Sequence, residues 1–254
     1  MTTIVSCFYL LEKNKYNNNI YDKWLNNFIK IETPIVLFTN EKTKPYLEQK
    51  IIGKNNFKIL VVEFEDFKTY KYLNQFKEQH QTLDNEKKKH NVFLYLIWNE
   101  KIEFVKKAIY LNPFQTQNFL YSDAGYFRNN SYTNWPNPKI INQLPKNKVS
   151  YFLICPFTQN ELKCNKFEKL PTFDHGRNKN DMGVRFAGGI FYCHQDFFPI
   201  WYKLYYKFLE KFSKSNKFMG KDQSIINSIY LIKPNFFHVI KCSKNWFYPQ
   251  KFLE

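Results

Sequence analysis

The chain has 254 residues, of which 44% are hydrophobic and 20% aromatic; that excludes a disordered or low-complexity protein and suffices for a core in one large domain or two small ones. The formal charge of +16 favours anionic partners through its overall field, but only three of the 38 basic residues are arginines, Arg128, Arg177 and Arg185. Arginine is the side chain suited to bidentate phosphate and guanine contacts. The lysine excess therefore reads as a solvated surface, and a basic nucleic-acid-binding protein is the weaker reading. Five scattered cysteines, odd in number and without a CxxC pair, argue against a disulfide framework or a structural zinc site and fit a reducing compartment.

The chain opens on a β-rich run, Thr3 to Leu10. The apolar part of this segment is too short to span a bilayer and has no basic stretch before it, so it reads as a first strand and not a signal peptide. Trp24, Leu25, Phe28 and Ile31 recur at helical spacing, and Thr33-Pro34 ends that helix before a second strand, Ile35 to Thr39. A helix from Glu41 to Ile52 follows, with Pro45 near its first turn and Gly53 beyond its end, and then a third strand, Phe57 to Phe64. This β-α-β-α-β order is the signature of a parallel sheet with crossover helices.

Glu65 to Asn91 is polar and charged, and its Lys87-Lys88-Lys89 run reads as a solvated helix or loop. Leu94, Ile97, Trp98, Ile102, Val105 and Ile109 mark a long helix, stopped by Asn112-Pro113. Phe119-Leu120-Tyr121 is a fourth strand, ending in Ser122-Asp123-Ala124-Gly125. A turn-rich segment leads to a fifth strand at Val149–Cys155, and residues 156–185 form a long, weakly patterned stretch that reads as a mobile loop over a site. Its Asp174-His175-Gly176-Arg177 is a local polar cluster. A strand from Phe186 to Cys193 carries Gly188-Gly189. Asp196 can cap the next helix, Phe197 to Phe212, and Asp222-Gln223 opens another. A late strand, Phe236 to Ile240, holds His238. With no repeat and no clear linker, residues 1–254 read as one α/β domain.

All three arginines and six of the seven glycines fall within Gly125–Arg128, Gly176–Gly189 or at Gly220. In a chain this poor in both residue types, those segments are where a site is expected. Ligands of open α/β sheets collect beyond the carboxyl ends of strands, and a carboxylate there can hold a cation while a glycine admits a ligand to the backbone. The plainer alternatives remain open: Asp123 and Gly125 as a turn, Asp222 as a helix cap, His238 as a core residue. No Gly-rich dinucleotide fingerprint, phosphate loop or serine elbow is present.

Several blocks occur in a telling order: Thr3-Ile4-Val5-Ser6; Tyr21 and Trp24; Pro34 to Thr39; Trp98-Asn99-Glu100-Lys101; Asn112-Pro113-Phe114; Tyr121 to Arg128; Gly188-Gly189-Ile190-Phe191; and Asp222-Gln223. In these the chain resembles the HtrL/YibB (WlaTC/HtrL-type) family of glycosyltransferase-like proteins. The resemblance implies a GT-A-like (Rossmann-like) single domain with a mostly parallel central sheet and helices on both faces. It implies sugar transfer from a nucleotide-sugar donor to a glycan, glycolipid or other hydroxyl acceptor. From the sequence itself, no stretch is long and apolar enough for a membrane helix, the cytoplasm is the default compartment, and the lysines leave surface association open. The chemistry of such a transfer then assigns donor binding to Asp123, Gly125, Arg128, Arg185, Gly188, Gly189 and Gln223, and catalytic roles to Asp222, as base or sugar ligand, and to Arg128, on the leaving diphosphate. A divalent cation (manganese or magnesium) is implied on Asp123, with His238 as a second ligand. The family type's second acid is Gly125 here, which puts metal dependence in question and keeps a non-catalytic nucleotide-sugar-binding protein as the alternative.

Overall fold

The computed structural model describes residues 1–11, 18–128, 132–171, 173, 184–242 and 245–254. Its strands are β1 (Thr2–Cys7), β2 (Ile35–Thr39), β3 (Phe57–Val61), β4 (Asn118–Ser122), β5 (Val149–Leu153), β6 (Phe186–His194) and β7 (Phe237–Lys241). The α-helices are α1 (Asn18–Phe28), α2 (Lys44–Lys50), α3 (Leu73–Thr82), α4 (Val92–Leu111), α5 (Pro138–Gln143), α6 (Gln159–Leu162), α7 (Phe198–Ser213), α8 (Asp222–Ile232) and α9 (Tyr248–Phe252).

The seven strands form one sheet in the order β3-β2-β1-β4-β6-β5-β7. All run parallel except β6, which lies antiparallel to both β4 and β5. The chain builds β1, β2 and β3 outward in one direction and then returns to place β4 on the other side of β1. The β1–β4 boundary is thus the topological switch point, where crossover connections diverge and leave a crevice.

Strand alternation divides the core into two layers. Val36, Phe38, Phe119, Tyr121, Phe191 and Cys193 face one way, against α4, α7 and α8. Ile35, Leu37, Leu120, Ile190 and Tyr192 face the other, against α1, α2, α5 and the carboxy-terminal segment. Both faces are covered, which is why the strands read as continuous apolar runs.

Helix α4 begins where the Asn91 side chain accepts a hydrogen bond from Phe93 N. It ends at Asn112, whose φ of 37° is a left-handed cap. The Lys87-Lys88-Lys89 run is exposed on the turns between α3 and α4, while α3 buries Phe76 and Gln79, and Asp84 and His90 on either side of the run are buried. Two expectations are corrected. Asp196 does not cap α7; the capping position is Phe197, and the Asp196 carboxylate lies 3.3 Å from His194. Asp222 is the first residue of α8 and not its cap, which is Lys221. In the 156–185 stretch, α6 opens with a reciprocal capping box between Thr158 and Glu161. Residues 172 and 174–183, with Arg177 and its polar neighbours, lie outside the described residues. None of the five cysteines is paired.

Candidate active site

The site is built downward from α4. Asn99, Glu100 and Lys101 are consecutive and buried in the middle of an otherwise apolar helix. Successive helical residues point about 100° apart, so each must find its own polar partner. Asn99 Nδ2 donates to the carbonyls of Tyr95, Met219 and Gly220, while its Oδ1 accepts from Tyr205 Oη at 2.8 Å. That pins the strap leading into α8. Glu100 accepts from Lys68 N, Thr69 N and Thr69 Oγ1. Burial outweighs these bonds and lifts its carboxyl to about 7.

Lys101 turns toward the sheet. Its Nζ donates to Gly188 O at 2.8 Å and lies 3.0 Å from Asp222 Oδ2, 3.4 Å from Asp123 Oδ1 and 5.4 Å over the Tyr121 ring. Asp123 follows β4 and shares the face of Tyr121 two residues before it; Tyr121 Oη donates to Asp123 Oδ1 at 2.8 Å. Asp123 N in turn donates to Gly189 O. The three charges differ sharply in access. The Asp123 side chain is 36% exposed, against 4% for Lys101 and 7% for Asp222. Burial alone would push the Lys101 ammonium down, but the two carboxylates reverse this and hold it above its ordinary value. Burial raises Asp222, against the pull of Lys101. Burial and then the Asp123 charge push the Cys7 thiol, 3.4 Å from Tyr121 Oη, up to about 12.

The structure thus brings Asp123, Asp222, Gly188, Gly189 and Gln223 together and gives several of them a different reason from the expected one. A Cβ on Gly188 would stand 2.6 Å from Gln223 Cγ and 3.1 Å from Asp222 Oδ1; one on Gly189 would stand 2.8 Å from Asp123 Oδ2. The glycines make room for the protein's own side chains, where backbone open to a ligand was expected. Gln223 spends its Nε2 on Phe186 O. Asp222 is buried in an ion pair, so it does not stand at a surface where an acceptor hydroxyl arrives. Arg185 is held by Glu161 through Nε at 3.0 Å and Nη2 at 2.8 Å, tied to α6. Gly125 packs 3.4 Å under Trp24 at its missing Cβ, and the Arg128 guanidinium stacks 4.3 Å from the Trp24 ring and 5.2 Å from Phe247.

Lys101 is the participant the sequence reading left without a role. The available signal was three consecutive polar residues inside an apolar-periodic helix.

A divalent cation does not find a protein-built cage here. Asp123 is one carboxylate, the position two residues on is Gly125, and the Lys101 ammonium stands beside Asp123 Oδ1. His238 is not a second ligand. It pairs in register with Ser150 on β5, three strands or roughly 14 Å from β4. It sits on the second residue of β7, away from the carboxyl end, and lies 3.2 Å from Ser150 Oγ, where burial lowers its pKa. Among the described residues no three His, Cys, Asp or Glu side chains converge as a metal site.

An acid at the carboxyl end of the fourth strand, beside the switch point of a 3-2-1-4-6-5-7 sheet, is a recognisable arrangement, and a family model decides its kinship. The chain belongs to the HtrL/YibB family. That model, described as a bacterial protein of unknown function, matches residues 2–252. The fold is GT-A-like. The crystal structure of mouse xyloside xylosyltransferase 1, apo form, superposes with a TM-score of 0.52 at 12% identity, covering 95% of this chain and 86% of that one. The structure of 4-diphosphocytidyl-2C-methyl-D-erythritol synthase from Anaerococcus prevotii aligns with a TM-score of 0.43 at 11% identity, covering 94% and 88%. No curated protein sequence matches the chain. Among the described residues of this HtrL/YibB chain, no helix is long and apolar enough to cross a membrane.

Proposed function

We propose that the chain is a glycosyltransferase that moves a sugar from a nucleoside-diphosphate-sugar donor to a hydroxyl of a glycan or glycolipid acceptor. One observation carries this reading: Asp123 is a partly exposed carboxylate at the carboxyl end of β4, beside the β1–β4 switch point, on a GT-A-like sheet. Ligands of open α/β sheets bind at that position. Asp123 is the residue in contact with the donor. Arg128, on the turn that follows it, is the guanidinium assigned to the departing diphosphate, whose growing negative charge needs a cationic partner. The C1–oxygen bond to the diphosphate breaks, the acceptor oxygen takes its place at C1, and the acceptor proton leaves to a base or to the departing phosphate. Among the described residues Asp123 is the one partly exposed carboxylate at this strand end, and it would hold a divalent cation only with the donor's phosphates and water completing the shell.

The test is a panel of nucleotide sugars, scored for thermal stabilisation and donor cleavage with and without manganese, on wild type and Asp123→Ala. Stabilisation and cleavage by one donor, both lost in Asp123→Ala, support the assignment. Binding without cleavage, with acceptors offered, favours a nucleotide-sugar-binding protein, the reading that the single acid motivates. A panel in which no donor binds overturns both.

A further inference from the structure

Asp222 and Asp123 come from opposite ends of the site, one opening α8 and the other closing β4, and a single ammonium lies between them. Lys101 Nζ is 3.0 Å from Asp222 Oδ2 and 3.4 Å from Asp123 Oδ1, and its bond to Gly188 O ties it to β6 as well. Asp222 Oδ2 is wholly buried, and among the described residues the Lys101 ammonium at 3.0 Å is what compensates it. At Asp123 the two oxygens are treated differently. Oδ1 faces inward to Lys101 and Tyr121, and Oδ2 lies over the Gly189 backbone, where a methyl group would stand 2.8 Å away. We propose that Lys101 is a positioning residue that couples the buried Asp222 to the accessible Asp123, fixing Asp123 with Oδ1 inward and Oδ2 toward the donor, so that Asp222 serves the reaction only through Lys101.

A purely structural account is available: a lysine neutralising one buried aspartate. The two accounts differ in what Lys101 and Asp123 owe each other. The decisive experiment is a double-mutant cycle between Lys101→Met and Asp123→Asn, read as urea midpoints in the Asp222→Asn background. In that background Lys101→Met leaves no buried charge stranded, so the variant remains testable where Lys101→Met alone fails to fold. The expected result is non-additivity: Lys101→Met lowers the midpoint more when residue 123 is Asp than when it is Asn. Additive losses overturn the inference, because Lys101 then serves Asp222 alone.

The second arm rests on the donor-transfer reading. Lys101→Met/Asp222→Asn, folded and with the wild-type melting temperature approached, is expected to lose about 100-fold in kcat, the scale of an ångström's misplacement of a reacting group. Asp222→Asn alone, with Lys101 still on Asp123, is expected to lose much less. Equal losses in the two variants, or a change confined to KM, overturn the positioning role. A wild-type protein that cleaves none of the nucleotide sugars overturns the transfer reading and leaves the stability cycle to judge Lys101.

Discussion

Two buried ionic clusters flank α4, and they are made of nearly the same parts. In the first, Asp84 Oδ2 accepts from Tyr95 Oη and lies 2.6 Å from His90 Nδ1, while Tyr95 Oη is 2.8 Å from His80 Nδ1. Glu86, next along, is bound by Lys221 Nζ at 2.9 Å. In the second, Asp123 accepts from Tyr121 and faces Lys101. Each pairs a carboxylate with a tyrosine hydroxyl and a basic side chain. The difference is closure. The Asp84 side chain is 1% exposed, and its hydrogen bonds to His90 and Tyr95 overcome burial to hold its carboxyl well below the usual range. The Asp123 side chain stays 36% exposed. A carboxylate whose bonding capacity is filled by the protein stabilises a fold; one left part-filled at a strand end can take a ligand.

Mutation should separate the two clusters in opposite ways. The largest effect belongs to Asp123→Ala: donor cleavage is expected to fall by roughly three powers of ten, about 4 kcal/mol of barrier, well beyond the stability lost with its contacts to Lys101 and Tyr121. Asp84→Ala should do the reverse, destabilising by about 3–5 kcal/mol because it strands His90 and Tyr95 in the interior, while KM for the donor holds in whatever fraction remains folded. Asp84 also sets an acid limit. Its carboxyl is depressed in the folded state, so its contribution is complete above the ordinary carboxylate range and is lost as pH falls through it. Equal activity losses in both variants would erase the distinction.

Glu100 sharpens the comparison from inside α4. Its carboxyl is raised from 4.5 to about 7, so the folded protein holds a proton that the unfolded chain has lost. Stability should therefore decline as pH rises across that window, by roughly 3 kcal/mol, and level off above it. Urea denaturation of Glu100→Gln between pH 4.5 and 7.5 is expected to show a flatter profile. The smallest effects are steric. Gly188→Ala and Gly189→Ala should each cost about 1–3 kcal/mol. Only Gly189→Ala, which presses on Asp123 Oδ2, should reduce turnover beyond what its stability loss explains.

The sequence by itself determined most of the architecture. Strand and helix periodicity is a local property, so the β-α-β-α-β opening and the strand ending at Asp123 could be read residue by residue, and the order of motifs identified the family. Scarcity of arginine and glycine pointed to Gly125–Arg128, Gly176–Gly189 and Gly220, and the acid at a strand end pointed to Asp123. Only the tertiary structure decided what those residues do. Sheet order put Asp123 at the switch point and His238 three strands away, because strand neighbours are chosen by long-range pairing that no local pattern encodes. Arg185 went to Glu161, and Lys101, inconspicuous in a chain with 35 lysines, became the charge between two aspartates. A side chain's charge is written in the sequence, but the partner that neutralises it, and the water it keeps or loses, are set by which surfaces meet on folding.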